Sequence, residues 1–503
     1  MPQNITHIIV QAGGKGSRLG FLTKNKCKAL LPVENLPMIF HLFKKFPDAQ
    51  FIVIGDYKYD VLEKYLMTFA TVSYTLVNAN NRKGTCGGID KALEHLPPNT
   101  PFLLIWSDLI LADSFALPTE DGNYIGIAKD FQCRWSYSEG FLREVPSAAQ
   151  GVAGLFVFSS KSTLEGLSPE GEFVRWLCEQ KIAFQELPLM GTKEFGLLED
   201  YQKLPAKRCR PFNRITDEGE YICKEGIDKQ GRELAKQEIA WYKKLQGCRF
   251  SAIPQIHSFS PLRMEKIKGK NVYEYSNLSR EDKLGVLRSI INSLRTIHAF
   301  EGIASDQTSY EDAYIGKTFT RLQKVRKLIP FADDEKIIVN GRRCRNAFFH
   351  REEIREIIYA YVPEQFRLLH GDCTFSNIML RDTGLSPVFI DPRGYFGTTE
   401  LCGDTAYEWA KLYYSLVGNY DQFNLKRFTL EIDEKRVNLR IASNGWEFLE
   451  DEFFSILEGE VTKEQIKLIH SIIWLSLTTY AWEDYDSICG AFYNGLYYLE
   501  EVL

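Results

Sequence analysis

The sequence predicts an α/β protein built from more than one domain, and three observations carry that expectation. At 503 residues the chain is too long for one ordinary core, so two or three domains are the prior. Near the N-terminus a short apolar run, Ile5-Thr-His-Ile-Ile-Val-Gln11, feeds Ala12-Gly-Gly-Lys-Gly-Ser-Arg-Leu19, a strand opening into a glycine-rich loop. Far downstream, Val388-Phe-Ile-Asp-Pro-Arg-Gly394 is an apolar strand ending in an acid, preceded by the tight stretch His370-Gly-Asp-Cys-Thr-Phe-Ser-Asn377. Between the two lies Pro205–Pro211 (PAKRCRP), basic, proline-bounded and without periodicity, which marks a domain boundary.

Composition narrows the function classes. An apolar fraction of 45% with 25% charged residues is that of a soluble globular protein. A net charge of −5 with scattered basic residues argues against a nucleic-acid partner, which needs a concentrated basic patch. The 11 cysteines occur singly, with no Cys-x-x-Cys pair, so neither a zinc site nor a secreted disulfide framework is expected, and a cytoplasmic location fits best. Met-Pro-Gln-Asn-Ile-Thr-His runs straight into a strand, so no signal peptide is expected. The longest apolar run, Leu468–Trp482, is too short to span a bilayer and reads as a core helix.

The stretch from His370 to Gly394 supplies the parts for moving a phosphoryl group. That chemistry needs a base beside the attacking hydroxyl and Mg²⁺ held by hard oxygen ligands against nucleotide phosphates. Asp372 suits the base; Asn377 and Asp391 suit the metal. These residues resemble the aminoglycoside phosphotransferase and choline kinase family, whose signature is His-Gly-Asp, four residues, Asn, then Ile-Asp. The resemblance implies a two-lobed, protein-kinase-like α+β fold using ATP. It extends upstream, where Tyr221-Ile-Cys-Lys-Glu225 supplies the phosphate-gripping Lys224 and a helix over 233–245 supplies its partner Glu238. Met264-Glu-Lys-Ile-Lys-Gly269, with Glu265 and Ile267, resembles the hinge whose backbone meets adenine. Leu287–Ala299 resembles the helix before the catalytic lobe. No glycine-rich loop lies between Pro211 and Tyr221. Arg393 stands where choline kinases often carry acidic or aromatic residues, and is a candidate substrate contact. The basic segment Tyr310–Asn346 is expected as a helix near the acceptor. Asp404–Leu412 resembles the helix that supports the catalytic loop.

In the N-terminal half, backbone N–H groups of Gly13, Gly14, Gly16 and Ser17, with Lys15 and Arg18, are suited to phosphates. A dinucleotide fold would use a similar loop. Lys26-Cys-Lys-Ala-Leu-Leu-Pro-Val33 then resembles the Pro-Lys-x-Leu-x-Pro-Val element of sugar-phosphate nucleotidyltransferases, with Lys28 at the signature position and Cys27 for the usual proline. The resemblance implies a Rossmann-like αβα sandwich in which the loop, Arg18 and Lys28 hold a triphosphate. Lys83-Gly-Thr-Cys-Gly-Gly88 resembles the turn facing base and sugar, through Gly84, Thr85 and Gly87. Phe102-Leu-Leu-Ile-Trp-Ser-Asp108 is an apolar strand that delivers an acid at its carboxyl end, and Asp108 is the expected Mg²⁺ ligand. Thr192–Tyr201 resembles the closing metal element, with Glu194 where an aspartate is usual. The Glu-Lys-Pro that presents a lysine to the sugar phosphate reads Glu144-Val145-Pro146, which leaves Arg143 as the candidate.

These resemblances imply a nucleotidyltransferase over 1–205, a linker over 206–211 and a kinase over 212–503, with a small lobe to 267 and a large lobe from 268. One half makes the other's substrate. The expectation is a bifunctional enzyme that phosphorylates a small hydroxyl compound with ATP, then joins the phosphate to a nucleotidyl group from CTP, UTP, GTP or dTTP. Pyrophosphate leaves, and the activated donor would serve surface or capsular polysaccharide synthesis. A sugar phosphorylated at its anomeric hydroxyl is favoured over an amino alcohol such as choline with a CDP product. A reading of another class makes the N-terminal half a degenerate nucleotide-sensing or scaffold module. The implied partners are small molecules, with no membrane span, and self-association into a homo-oligomer is left open.

Overall fold

A computed structural model describes residues 4–203 and 213–503. The chain divides into two compact units, Met1–Pro205 with Glu483–Asp486, and Ala206–Trp482 with Ser487–Leu503. The expected linker 206–211, like Phe212, lies outside the described residues.

In the first unit, His7–Gln11 pairs in parallel with both Gln50–Gly55 and Phe102–Trp106, and Tyr74–Asn78 extends the sheet in parallel beyond Gln50–Gly55. Gly151–Phe158 returns antiparallel against Phe102–Trp106. The near-continuous apolar runs suit strands covered on both faces, and Ile8, Ile9, Val10 and Phe102 through Ile105 are all fully buried. Helices Met38–Lys45, Tyr59–Phe69 and Thr85–Leu93 alternate with these strands, as parallel crossovers require. The result is the expected Rossmann-like αβα sandwich. Register positions the site: Gln11 lies opposite both Ile54 and Trp106. The loops that follow the three strands therefore leave from one edge, where open α/β sheets present ligands.

The second unit opens with a four-stranded antiparallel sheet in the order Asn213–Asp217, Tyr221–Gly226, Leu262–Glu265, Ile256–Phe259. Its helix, expected over 233–245, runs over Lys229–Gly247, because Asp228 accepts the Gly231 N–H at 2.7 Å and caps an added polar turn. The helix expected over 287–299 likewise begins at Arg280, with the Ser279 hydroxyl accepting from the Asp282 N–H at 3.1 Å. Thr405–Leu416 and Lys463–Leu477 complete the helical core around the site; the apolar run 468–482 expected as one core helix is helical only as far as Leu477 and then turns. Among the described residues no helix is long and apolar enough to cross a membrane. The two units thus have the Rossmann-type and kinase-like architectures expected.

Tyr310–Asn346 departs from the single basic helix expected there. Lys317–Val325 is helical, but Lys336–Val339 and Arg342–Arg345 form a hairpin that joins Arg436–Ile441 and Phe428–Ile432 in a further sheet. The turn residues Asn340 and Gly341 have φ of 50° and 79°, the two positive dihedrals that a tight hairpin turn demands. Alternation on either side sends Ile337, Val339 and Cys344 inward.

Candidate active sites

The loop after His7–Gln11 is shaped by close approach and left-handed backbone. A Cβ on Gly13 would lie 2.7 Å from that of Asp56, and Gly16 has φ 65°, which glycine adopts without steric cost. Gly14 faces open space, and Lys15, Ser17 and Arg18 are exposed. The Lys28 N–H donates to the Gly14 carbonyl at 3.3 Å, which draws this lysine to the loop, and its ammonium pairs with Asp108. Glu194 arrives beside Asp108 because Lys193–Glu194 pairs antiparallel with Leu109–Ile110, with Glu194 opposite Leu109. Burial, and next the charge of Asp108, push the Glu194 carboxyl above its usual range, while Lys28 and Arg18 act in the opposite direction. A Cβ on Gly196 would sit 2.7 Å from Glu194 Oε1 and 3.4 Å from Arg18 Nη2. Two carboxylates and two cations therefore meet at the loop, which remains open to an anion.

Other expected residues are placed differently. The Thr85 hydroxyl accepts the Phe173 N–H at 2.8 Å, and a Cβ on Gly84 or Gly87 would strike the carbonyl of Gly171 or Pro169. That turn is clamped against a neighbouring segment, with Gly88 packed so that an added Cβ would meet Ile54 at 2.8 Å. Arg143 is exposed on its own hairpin, donating to Ser138 Oγ at 3.2 Å with its guanidinium 5.3 Å from the Phe141 ring. Glu144 is held by Arg134 and, at 2.9 Å, by Arg175, two residues that sequence reasoning passed over.

In the second unit, Lys224 reaches Glu238 at 2.7 Å and Asp391 at 2.6 Å, the expected lysine–glutamate pair with a predicted metal ligand added. Burial pushes the Glu238 carboxyl up to about 7 despite the opposing pull of Lys224. Burial alone would lower Lys224, yet Asp391 and Glu238 hold it above the usual lysine range. Asp391 has φ 54°, a left-handed conformation that costs a non-glycine residue roughly 1–3 kcal/mol and is tolerated mostly where function fixes it. Asn377 donates its amide N–H to the Asp372 carbonyl at 2.8 Å and to Asp372 Oδ2 at 3.0 Å. The Ile390 N–H donates to the Asn377 carbonyl at 3.0 Å, which sets Asn377 beside Asp391.

The loop 370–377 rests on a buried polar floor. His370 is fully buried; its Nε2 lies 2.9 Å from the Ile390 carbonyl, and its Nδ1 accepts the Asp372 N–H at 3.3 Å. Those partners assign a neutral ring with its proton on Nε2, and burial holds the imidazole below its usual pKa. Glu408, also fully buried, accepts the N–H groups of His370 at 2.9 Å and Gly371 at 2.8 Å. Burial alone would raise Glu408, but the hydrogen bond and charge of His298, helped by the Gly371 N–H, hold it below the usual carboxylate range. Lys411, from the same helix, reaches Asp372 Oδ1 at 2.9 Å. Nothing in the local motif signals Lys411; only the fold brings it to Asp372.

At the expected hinge both predicted side chains are engaged by the protein itself. Glu265 is held by Arg381 in a two-pronged pair at 2.6 and 3.0 Å, and Ile267 is buried. The turn from Asp217 to Tyr221 is tight, with Gly219 N–H on Asp217 Oδ1 at 3.0 Å, in keeping with the missing glycine-rich loop.

Among the described residues no cluster of three or more His, Cys, Asp or Glu side chains forms a self-contained metal cage. Each site instead juxtaposes two oxygen donors: Asp108 with Glu194, and Asn377 with Asp391. That donor set fits Mg²⁺, which takes one or two protein ligands and completes its shell with phosphate and water.

Comparison with known families matches residues 8–117 to the MobA-like NTP transferase domain and residues 210–422 to the phosphotransferase enzyme family. The chain joins these two domains. It is a transferase that combines nucleotidyltransferase and kinase activities, types of enzyme that use nucleoside triphosphates and typically Mg²⁺. No curated protein matches it. Solved structures resemble part of it. The inositol-1-phosphate CTP transferase from T. maritima is 13% identical over 40% of this chain and 93% of its own, with TM-score 0.33. HddC from Yersinia pseudotuberculosis is 20% identical over 40% and 98%, with TM-score 0.33. The CTP:phosphocholine cytidylyltransferase from Streptococcus pneumoniae is 20% identical over 40% and 98%, with TM-score 0.32.

Proposed function

We propose that the two domains act in sequence on one small molecule: the kinase domain phosphorylates a hydroxyl group with ATP, and the nucleotidyltransferase domain joins that phosphate to a nucleotidyl group from a second triphosphate. The observation that carries this reading is the constellation of Asp372, Lys411, Asn377, Asp391 and Lys224, held together by contacts of 2.6–3.0 Å. Asp372 accepts the proton of the attacking hydroxyl, Lys411 supplies a positive charge beside it, and Lys224 neutralises nucleotide phosphate. Asn377 and Asp391 would hold Mg²⁺, which offsets charge on the transferred phosphoryl group. In the first unit an anionic phosphate must approach the α-phosphorus of a triphosphate, an encounter between like charges. Lys28 and Arg18 stand on the loop to lower that barrier, and Asp108 with Glu194 would hold the metal.

The acceptor is a sugar-like hydroxyl compound, and the activated product feeds glycoconjugate or surface polysaccharide synthesis. Residues 1–205 and 212–503 are proposed as separable catalysts in the cytoplasm. The test is a pyrophosphate-release assay on the full chain, supplied with Mg-ATP, a hydroxyl acceptor and each of CTP, UTP, GTP and dTTP in turn. Pyrophosphate should appear only after ADP does, with one triphosphate strongly preferred. Pyrophosphate release that ignores the kinase product would defeat the sequential reading. Arg143→Ala should raise KM for the phosphorylated acceptor far more than for the triphosphate; equal effects would remove Arg143 and turn attention to Arg134 and Arg175.

A further inference from the structure

We infer that the hydroxyl compound phosphorylated by the kinase domain carries an oxyanion of its own, such as a carboxylate, held by Lys317, Arg321 and Arg393 beside the reacting hydroxyl. This rests on the kinase reading above and adds the charge class of the acceptor.

The evidence is a concentration of like charge next to the base. Around the single ring of Tyr407 stand the guanidinium of Arg393 at 5.8 Å and the ammonium groups of Lys317 and Lys411, each at 6.0 Å from its centroid. Arg393 also donates to the Tyr407 hydroxyl at 2.8 Å. Arg321, one turn along the helix from Lys317, lies over Tyr480 at 4.3 Å and donates to the Ser476 carbonyl and hydroxyl at 2.9 and 2.8 Å. The cluster abuts the catalytic loop. The Arg393 N–H donates to the His370 carbonyl at 2.8 Å, a Cβ on Gly371 would lie 3.0 Å from that of Arg393, and Lys411 is the lysine on Asp372.

Four cations face few counter-charges. Asp372 is already engaged by Lys411 and Asn377, and Asp312 attracts Lys317 without forming an ion pair with it. Among the described residues Lys317 has no hydrogen-bond or ion-pair partner, and none of the four side chains is fully exposed. Burial, followed by the charges of Arg393, Arg321 and Lys411, drives the Lys317 ammonium well below the usual lysine range. Holding such a cation among others is unfavourable unless something anionic answers it. Nucleotide phosphate is already served by Lys224 on Asp391. A cationic acceptor such as choline would be repelled here, and a neutral one would leave the cluster without a purpose.

The test offers the full chain, with Mg-ATP, acceptors paired by charge: glycerate against glycerol, glucuronate against glucose, and choline as the cationic member. ADP release is the readout, and inorganic sulfate serves as a binding probe in thermal unfolding. An anionic member should be used with kcat/KM about tenfold or more above its neutral partner. Lys317→Met should raise KM for that acceptor about tenfold while KM for ATP moves by less than about twofold, and Lys317→Arg should restore it. Because an ammonium crowded by other cations is replaced by an apolar side chain, Lys317→Met should also raise Tm, the reverse of what losing a structural residue does, and sulfate should stabilise it less than the wild type. Preference for glycerol, glucose or choline with intact ATP turnover would overturn this inference alone. So would equal KM changes for both substrates, or no anionic member being used together with no Lys317-dependent sulfate shift. Absence of ATP turnover that depends on Asp391 would overturn the kinase reading, and this inference with it.

Discussion

The two sites obtain their order from different sources. In the kinase domain the charged groups are already paired with one another: Lys224 with Glu238 and Asp391, Lys411 with Asp372, and all of them above a floor in which His370 and Glu408 are fully buried. In the nucleotidyltransferase domain the phosphate loop is mostly main chain, with Lys15, Ser17 and Arg18 exposed and only Lys28 fixed on Asp108. A prepaired site has little reorganisation left to do when substrate binds, whereas an open cradle takes its final geometry from the triphosphate. Single substitutions should therefore cost rate in the first and binding as well as rate in the second.

The sharpest break is Asp372→Asn, expected to lower the kinase rate by about 10²–10⁴ fold with ATP affinity nearly intact. Near-normal ADP release would remove Asp372 from its role. Asp108→Ala is expected to lower pyrophosphate release by about 10³ fold and to weaken Mg²⁺-triphosphate binding too, while leaving ADP release alone. Full activity there would make the N-terminal domain a binding module. Asp391→Asn should shift the Mg²⁺ dependence of the kinase, and an unchanged titration would exclude it as a ligand.

Much of this was legible from residue patterns, and the misses have physical causes. Phe51–Ile54 is an uninterrupted apolar run, and the strand Gln50–Gly55 forms around it. Both helices that proved longer than expected gained a polar first turn, where apolar periodicity is silent and only the caps Asp228 and Ser279 speak. The hairpin at Asn340-Gly341 carried its own turn signal, masked by the basic residues on either side. The Asp372, Asn377 and Asp391 set was readable because its spacing lies within one loop and the next strand. Lys411 and Lys317 were not, since a half-buried lysine on a helix looks like any solvated one until tertiary packing turns it inward.

Smaller effects probe the floor. Glu408→Gln replaces a buried charge that accepts two N–H groups and contacts His298, and should destabilise the C-terminal unit by about 2 kcal/mol in denaturant unfolding. An unchanged midpoint would show that the floor does not depend on that charge. Acid should act through buried histidines. His470 accepts the Trp474 indole N–H at 2.9 Å, and burial drives its pKa down to about 3. The unfolded chain therefore takes up a proton near pH 6.5 that the native state refuses, and stability falls as pH drops from 6.5 toward 3. His470 contributes up to about 1.4 kcal/mol per pH unit across that window. His470→Gln should flatten this slope, and a slope unaltered by the substitution would assign acid sensitivity elsewhere.

The helix Thr405–Leu416 carries Tyr407 against the cation cluster, Glu408 beneath the catalytic loop and Lys411 on the base, and its first turn is capped by Asp404, which also accepts the Tyr314 hydroxyl at 2.7 Å. The ammonium on Asp372 and the acceptor of the two loop N–H groups are thereby mounted on one helix. A displacement of this helix would disturb Lys411 and Glu408 together, while Lys317 and Arg321 stand on a separate short helix, Lys317–Val325.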